Sequence, residues 1–122
     1  MLGCDSWSMD LVPSGSSDEV EVTPGVYLSQ LAGGEEMSIQ HVRMASGGRV
    51  PEHEHHHEQL GFVYQGEQTF ILEDGEEVTA GPGESYWLES HEVHAAENQG
   101  DDEMLAIDVF SPPRHSPDWL ED

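Results

Sequence analysis

Lysine occurs nowhere in the 122 residues, and only Arg43, Arg49 and Arg114 oppose 26 Asp and Glu, leaving a formal net charge of −23. A phosphate backbone is recognised through clustered Lys and Arg, so this balance excludes nucleic acid as a partner. Cysteine is almost as scarce. Cys4 alone cannot close an internal disulfide and lies far along the chain from the polar clusters below, so it reads as an incidental thiol. Apolar runs extend only a few residues, and no basic segment precedes one. Neither a membrane span nor a signal peptide can be drawn, and a cytoplasmic location is expected. Repulsion on this scale opposes compaction in dilute buffer, but at ~1 M salt the screening length falls to about 3 Å, which points to the salt-filled cytoplasm of a halophile. Where lysine has been eliminated, a retained arginine is expected to be paired or to hold an anion, and Arg114, fixed behind Pro112-Pro113, is the strongest of the three.

Against this background the histidines stand out. His53, His55, His56, His57 and Gln59 fall within seven positions between Gly47 and Gly66, and His94 with Asn98 follows in a second Gly/Pro-punctuated segment. Neutral imidazole is the commonest ligand of first-row divalent metals. On an extended chain alternate residues share a side, so His53, His55 and Gln59 can converge on one ion while His94 approaches from a distant strand. His57 shares their parity and is expected as an extra ligand or supporting donor, whereas His56 points outward. A solvated acidic loop would not pass at once into Leu60, Phe62 and Val63. No thiolate is available, so one divalent ion, with Zn, Ni, Mn and Fe all open, is the expected cofactor.

The length suits one core and one domain. Residues 1–19 are expected as a flexible arm, 20–114 as the folded domain and 115–122 as a tail. Short β-runs are expected over 26–31, 37–44, 59–65, 68–73, 76–79 and 85–88, from His94, and over 104–110. Asp74-Gly75 signals a two-residue hairpin. Ser111-Pro112-Pro113 ends the last run. Short strands at this spacing with no amphipathic helix indicate an all-β sandwich or barrel.

Gly47, five residues, His53-x-His55, three residues, Gln59, six residues and Gly66 resembles the first motif of the cupins, with glutamine where most carry glutamate. Pro82-Gly83-Glu84 followed by His94 and Asn98 resembles the second, although Gly75 to Pro82 is one residue longer than usual. The strings His55-His56-His57-Glu58-Gln59, Gly83-Glu84-Ser85-Tyr86-Trp87 and Ile107 through Arg114 look like the KdgF branch, pectin-degradation cupins that open 4,5-unsaturated uronate monosaccharides. The resemblance implies a single-domain double-stranded β-helix, or jelly-roll barrel. It implies metal ligation by His53, His55, Gln59 and His94, with Asp108, Phe110 and Arg114 at the substrate end.

On that reading Asp108 shuttles a proton, Arg114 holds the substrate carboxylate, and Phe110, Tyr86 and Trp87 wall the sugar. Other functions on the same scaffold stay open: an iron dioxygenase, another sugar-acid isomerase, or a non-catalytic cupin that binds a small acid. The expected partners are a small anionic sugar and a second copy of the chain, a homodimer in which the exposed strand near Val20 to Leu31 supplies the cover for a sheet edge.

Overall fold

In Ser38–Met44 every second side chain is buried, and the same alternation runs through Met104–Ser111, as a strand with one face on a core requires. The computed structural model describes residues 9–114, and these form ten strands with no helix. They are β1 (Val20–Thr23), β2 (Val26–Gly33), β3 (Ser38–Met44), β4 (Arg49–His53), β5 (Glu58–Gln65), β6 (Gln68–Leu72), β7 (Glu77–Ala80), β8 (Ser85–Leu88), β9 (His94–Glu97) and β10 (Met104–Ser111). One sheet has the order β1-β2-β3-β10-β5-β8 and the other β4-β9-β6-β7. Every pairing is antiparallel. This is the jelly-roll architecture expected from the sequence. The expected C-terminal tail, 115–122, and Cys4 lie outside the described residues.

Three local features differ from the expectation. The segment 49–53 is a strand rather than part of a site loop. Pro51 cannot donate to a ladder, which argues against a central strand, but β4 is an edge of its sheet and the missing N–H is tolerated there. The run from Val20 is broken into β1 and β2 by Pro24-Gly25, with Gly25 at φ 81°. The turn after β6 spans residues 73–76 instead of two. Leu72 N–H donates to Glu76 O, and the Asp74 carboxylate accepts from Glu76 N–H at 2.9 Å.

Between the sheets Val26, Leu28, Val42, Met44, Val63, Phe70, Leu88, Met104 and Ala106 form the apolar core. Removing a Val, Leu or Phe side chain from water contributes about 1.5–3 kcal/mol, so this cluster supplies most of the drive to bring the sheets together. The inward face of β10 changes character along its length. Met104 and Ala106 belong to the core, and the next two inward residues, Asp108 and Phe110, are still buried but line the pocket that also takes in His53, Gln59 and His94. One strand thus joins the packed end of the barrel to its functional end. Ser111-Pro112 is a cis peptide.

Candidate metal centre and catalytic pocket

His53 and His94 are directly opposed across β4 and β9, so the ladder alone brings two imidazoles from distant parts of the sequence together. Their rings lie 4.6 Å apart, and His55, just beyond the end of β4, completes the group at 5.4 Å from His53 and 5.3 Å from His94. One ligand nitrogen from each lies within 4.8 Å of the other two, a spacing suited to sharing one ion. Each ring is held by its Nδ1. His53 Nδ1 lies 2.8 Å from Pro51 O, His55 Nδ1 2.9 Å from His57 O, and His94 Nδ1 2.7 Å from Glu92 O. A carbonyl only accepts, so each Nδ1 carries the proton and each Nε2 keeps its lone pair.

A metal site requires just this tautomer, with the second nitrogen fixed by a hydrogen bond. His55 Nε2 is buried with no hydrogen-bond partner. Stranding a polar atom away from water costs about 1–3 kcal/mol, and a metal ion would turn that cost into ligation. Burial lowers the pKa of His55 to about 4, helped by the Arg114 charge and by His94. It lowers that of His94 as well, partly opposed by the bond to Glu92 O. The rings of His55 and His94 are therefore neutral at pH 7, as metal binding demands. The residues present fit a divalent ion.

Gln59 enters from the other sheet. It does not reach the histidines along one extended chain, as parity suggested, because the backbone leaves the strand after His53 and re-enters at Glu58. It is buried and lines the same pocket as His53 and His94. Its side chain also hydrogen-bonds Asp108, where only the amide N–H₂ can donate to a carboxylate, so its carbonyl oxygen remains the donor atom a metal would use. Asp108 is buried, and desolvation pushes its pKa up to about 6 against the opposing hydrogen bonds from Tyr86 and Gln59 and the charge of Arg114. Tyr86 Oη donates to Asp108 Oδ1 at 2.5 Å. Burial, then Asp108, raises the phenol pKa well above its usual value, so it remains a donor.

Arg114 is buried at the pocket, with its guanidinium carbon 5.0 Å from the Phe110 ring centre and its backbone N–H donating to Ser38 Oγ at 2.9 Å. Phe110 closes the floor beside His55, their ring centres 5.8 Å apart. The structure thus brings together His53, His55, Gln59, His94, Asp108, Phe110, Arg114 and the hydroxyl of Tyr86.

Trp87 is a correction: it is 57% exposed and donates its Nε1–H to Glu58 on the outer face. Side chains alternate along β8, so once Tyr86 points inward its neighbour points out. His57 is buried against His55 and Phe110 but is not among the ligand-competent histidines. Asn98 is structural, donating to Met44 O and Asp102 O. Gln40 and Gln68, which also line the pocket, were missed by the sequence reading. Their signal was a glutamine at an inward position: Gln40 shares the buried face of β3 with Ser38 and Val42.

A two-sheet β-sandwich with a histidine-lined interior site defines a class, and comparison with known proteins names it. Residues 40–110 match the family model described as Cupin domain, and the chain belongs to the cupin family. KdgF from Halomonas sp. is similar in structure, with TM-score 0.76 and 30% identity over 86% of this chain and 96% of that one. An RmlC-like cupin from Shewanella frigidimarina superposes with TM-score 0.77 at 23% identity, covering 88% of this chain and 95% of that one, and supports the fold alone. The H2HPP isomerase of Bacillus subtilis is 31% identical over 71 residues, 58% of this chain but only 30% of that relative's length.

Proposed function

We propose that the protein is a metal-dependent isomerase that opens the ring of 4,5-unsaturated uronate monosaccharides, giving the 5-keto-4-deoxyuronate, in the breakdown of pectin or related polyuronates. The observation that carries this reading is the meeting, at one site, of three clustered imidazoles, a buried carboxylate titrating near neutrality and a guanidinium. The likeness to KdgF and to an isomerase supports the class of reaction.

The substrate is a cyclic hemiacetal with a C4–C5 double bond and a carboxylate on C5. Arg114 binds the carboxylate and sets the ring's orientation. Asp108, as carboxylate, takes the proton of the C1 hydroxyl; the C1–ring oxygen bond breaks with its electron pair on the oxygen, leaving an aldehyde at C1 and an enolate at C5. Asp108 then returns a proton to C4 as the C5 ketone forms, so atoms balance and no co-reactant is needed. A pKa near 6 suits a group that must both accept and give a proton near neutral pH. When bound at His53, His55, His94 and Gln59, a divalent ion supplies Lewis acidity toward the substrate's oxygens, undiminished by any carboxylate ligand. Phe110 excludes water beside the reacting carbons.

The reaction is proposed to run in a salt-rich cytoplasm, and the chain to act as a homodimer covering the β1 edge, which scattering-based mass determination in molar salt would test. The activity itself is tested by incubating metal-loaded protein with 4,5-unsaturated galacturonate in molar salt and following loss of the conjugated chromophore, with Asp108→Asn alongside. Loss well above the spontaneous rate for wild type, and not for the variant, is expected. Equal rates for wild type and blank would replace the enzyme by a binding module, and oxygen uptake would replace the isomerase by a dioxygenase.

A further inference from the structure

In the six-stranded sheet, Asp108 of β10 and Tyr86 of β8 both have Gly61 of β5 as their directly opposed residue. The three positions form one row, and the phenol must cross the whole width of β5 to reach the carboxylate. Neighbouring strands are about 4.8 Å apart, so the crossing covers roughly twice that distance. A Cβ placed on Gly61 would collide with the hydroxyl end of the Tyr86 ring, 2.1 Å from Cζ, 2.2 Å from Cε1 and 2.3 Å from the hydroxyl oxygen. Gly61 faces inward between Gln59 and Val63, with no positive φ to account for a glycine. Glycine in a strand interior weakens the strand and marks close approach by another group. Here that group is the Tyr86 ring, pinned from the opposite sheet by Phe70 with ring centres 4.6 Å apart.

We propose that Gly61 and Tyr86 are a positioning pair for Asp108: the absent side chain at Gly61 opens the lane across β5 through which the phenol reaches and orients the carboxylate in the pocket. The Asp108 carboxylate accepts side-chain hydrogen bonds from two residues, Tyr86 and Gln59. The phenol is the one that reaches it across β5, at 2.5 Å from Oδ1. Any residue larger than glycine at position 61 withdraws it. The catalytic consequence rests on the uronate reading; the steric coupling between positions 61 and 86 does not.

The test combines turnover with a stability cycle. On unsaturated galacturonate, Tyr86→Phe and Gly61→Ala are each expected to lower kcat by about 10- to 100-fold, the scale of one hydrogen bond to a charged group, with KM changed less than ~3-fold and metal content retained. Because both act through one contact, the double variant should be no slower than the slower single variant. Independently of activity, Gly61→Ala should lower the melting temperature when Tyr86 is present and lose that penalty in a Tyr86→Leu background. A wild-type kcat in Tyr86→Phe, multiplicative kcat losses, or an equal thermal penalty in both backgrounds would overturn the proposal. If wild type shows no turnover beyond the spontaneous reaction, the uronate reading fails, and the thermal cycle alone decides the pairing.

Discussion

The two sheets contribute opposite chemistry to one pocket. From the four-stranded sheet and its continuation beyond β4 come the imidazoles, His53, His94 and His55, each aimed by a main-chain oxygen. From the six-stranded sheet come Gln59, Asp108 and Phe110, with Tyr86 behind and Arg114 following β10. Burial acts on both sides yet with contrary outcome: it suppresses the charge of bases on one wall and of an acid on the other. Three of the four metal donors thus rest on a different ladder from Asp108, while Gln59, which hydrogen-bonds Asp108 within the six-stranded sheet, joins cation capture to proton handling.

The sharpest break of this comparison is a pair of substitutions, one per wall. His94→Ala should empty the site, measured by elemental analysis, and reduce turnover to the spontaneous rate. Asp108→Asn should keep its metal while losing about 10²–10⁴-fold in kcat. Loss of metal from both would show that the walls are not independent.

Acid should then act on the two walls with contrary sign, measured by urea unfolding of chelator-treated protein. His55 has a folded pKa of about 4 against an ordinary 6.5, so its contribution is present above 6.5 and is lost as pH falls through 4, by about 3 kcal/mol at most. Asp108 is raised from 3.8 to about 6, so its contribution is present below 3.8 and is lost as pH rises through 6. Asp108→Asn should therefore stabilise the metal-free protein at pH 8, by no more than about 3 kcal/mol, and give no gain below pH 4. A variant less stable at pH 8 would mean that the hydrogen bonds to Asp108 outweigh its desolvation.

Smaller effects sharpen the outline of the pocket. Arg114→Lys keeps the charge but removes the planar fork, and KM for the uronate should rise about tenfold with metal content unchanged. The smallest effect belongs to Trp87→Ala, expected to change kcat and KM less than ~2-fold because the indole lies outside; a tenfold loss would return Trp87 to the pocket wall.

Most strands were legible because hydrophobic alternation and Gly or Pro punctuation agree, as in Ser85–Leu88, whose bounds matched. β4 was not, since Pro51 in a short polar run reads as loop until the edge position is known. The histidines were legible by residue type and spacing. The route of Gln59 to the site was not, because parity assumes an unbroken strand and says nothing of a chain that changes sheets. Trp87 failed for a related reason: Tyr86 and Trp87 are equal aromatics in sequence, and only the register with Gly61 decides which one enters. Gly61 itself carries no signal of its own, as its neighbour in space is 25 residues away in the chain.

The anchors of the three imidazoles are carbonyls of Pro51, His57 and Glu92, and a carbonyl survives any replacement of the side chain attached to it. The preferred tautomer is thus inherited with the backbone path and not with particular neighbours. An exterior can drift through successive substitutions, even to the loss of every lysine, without retuning the donor atoms within.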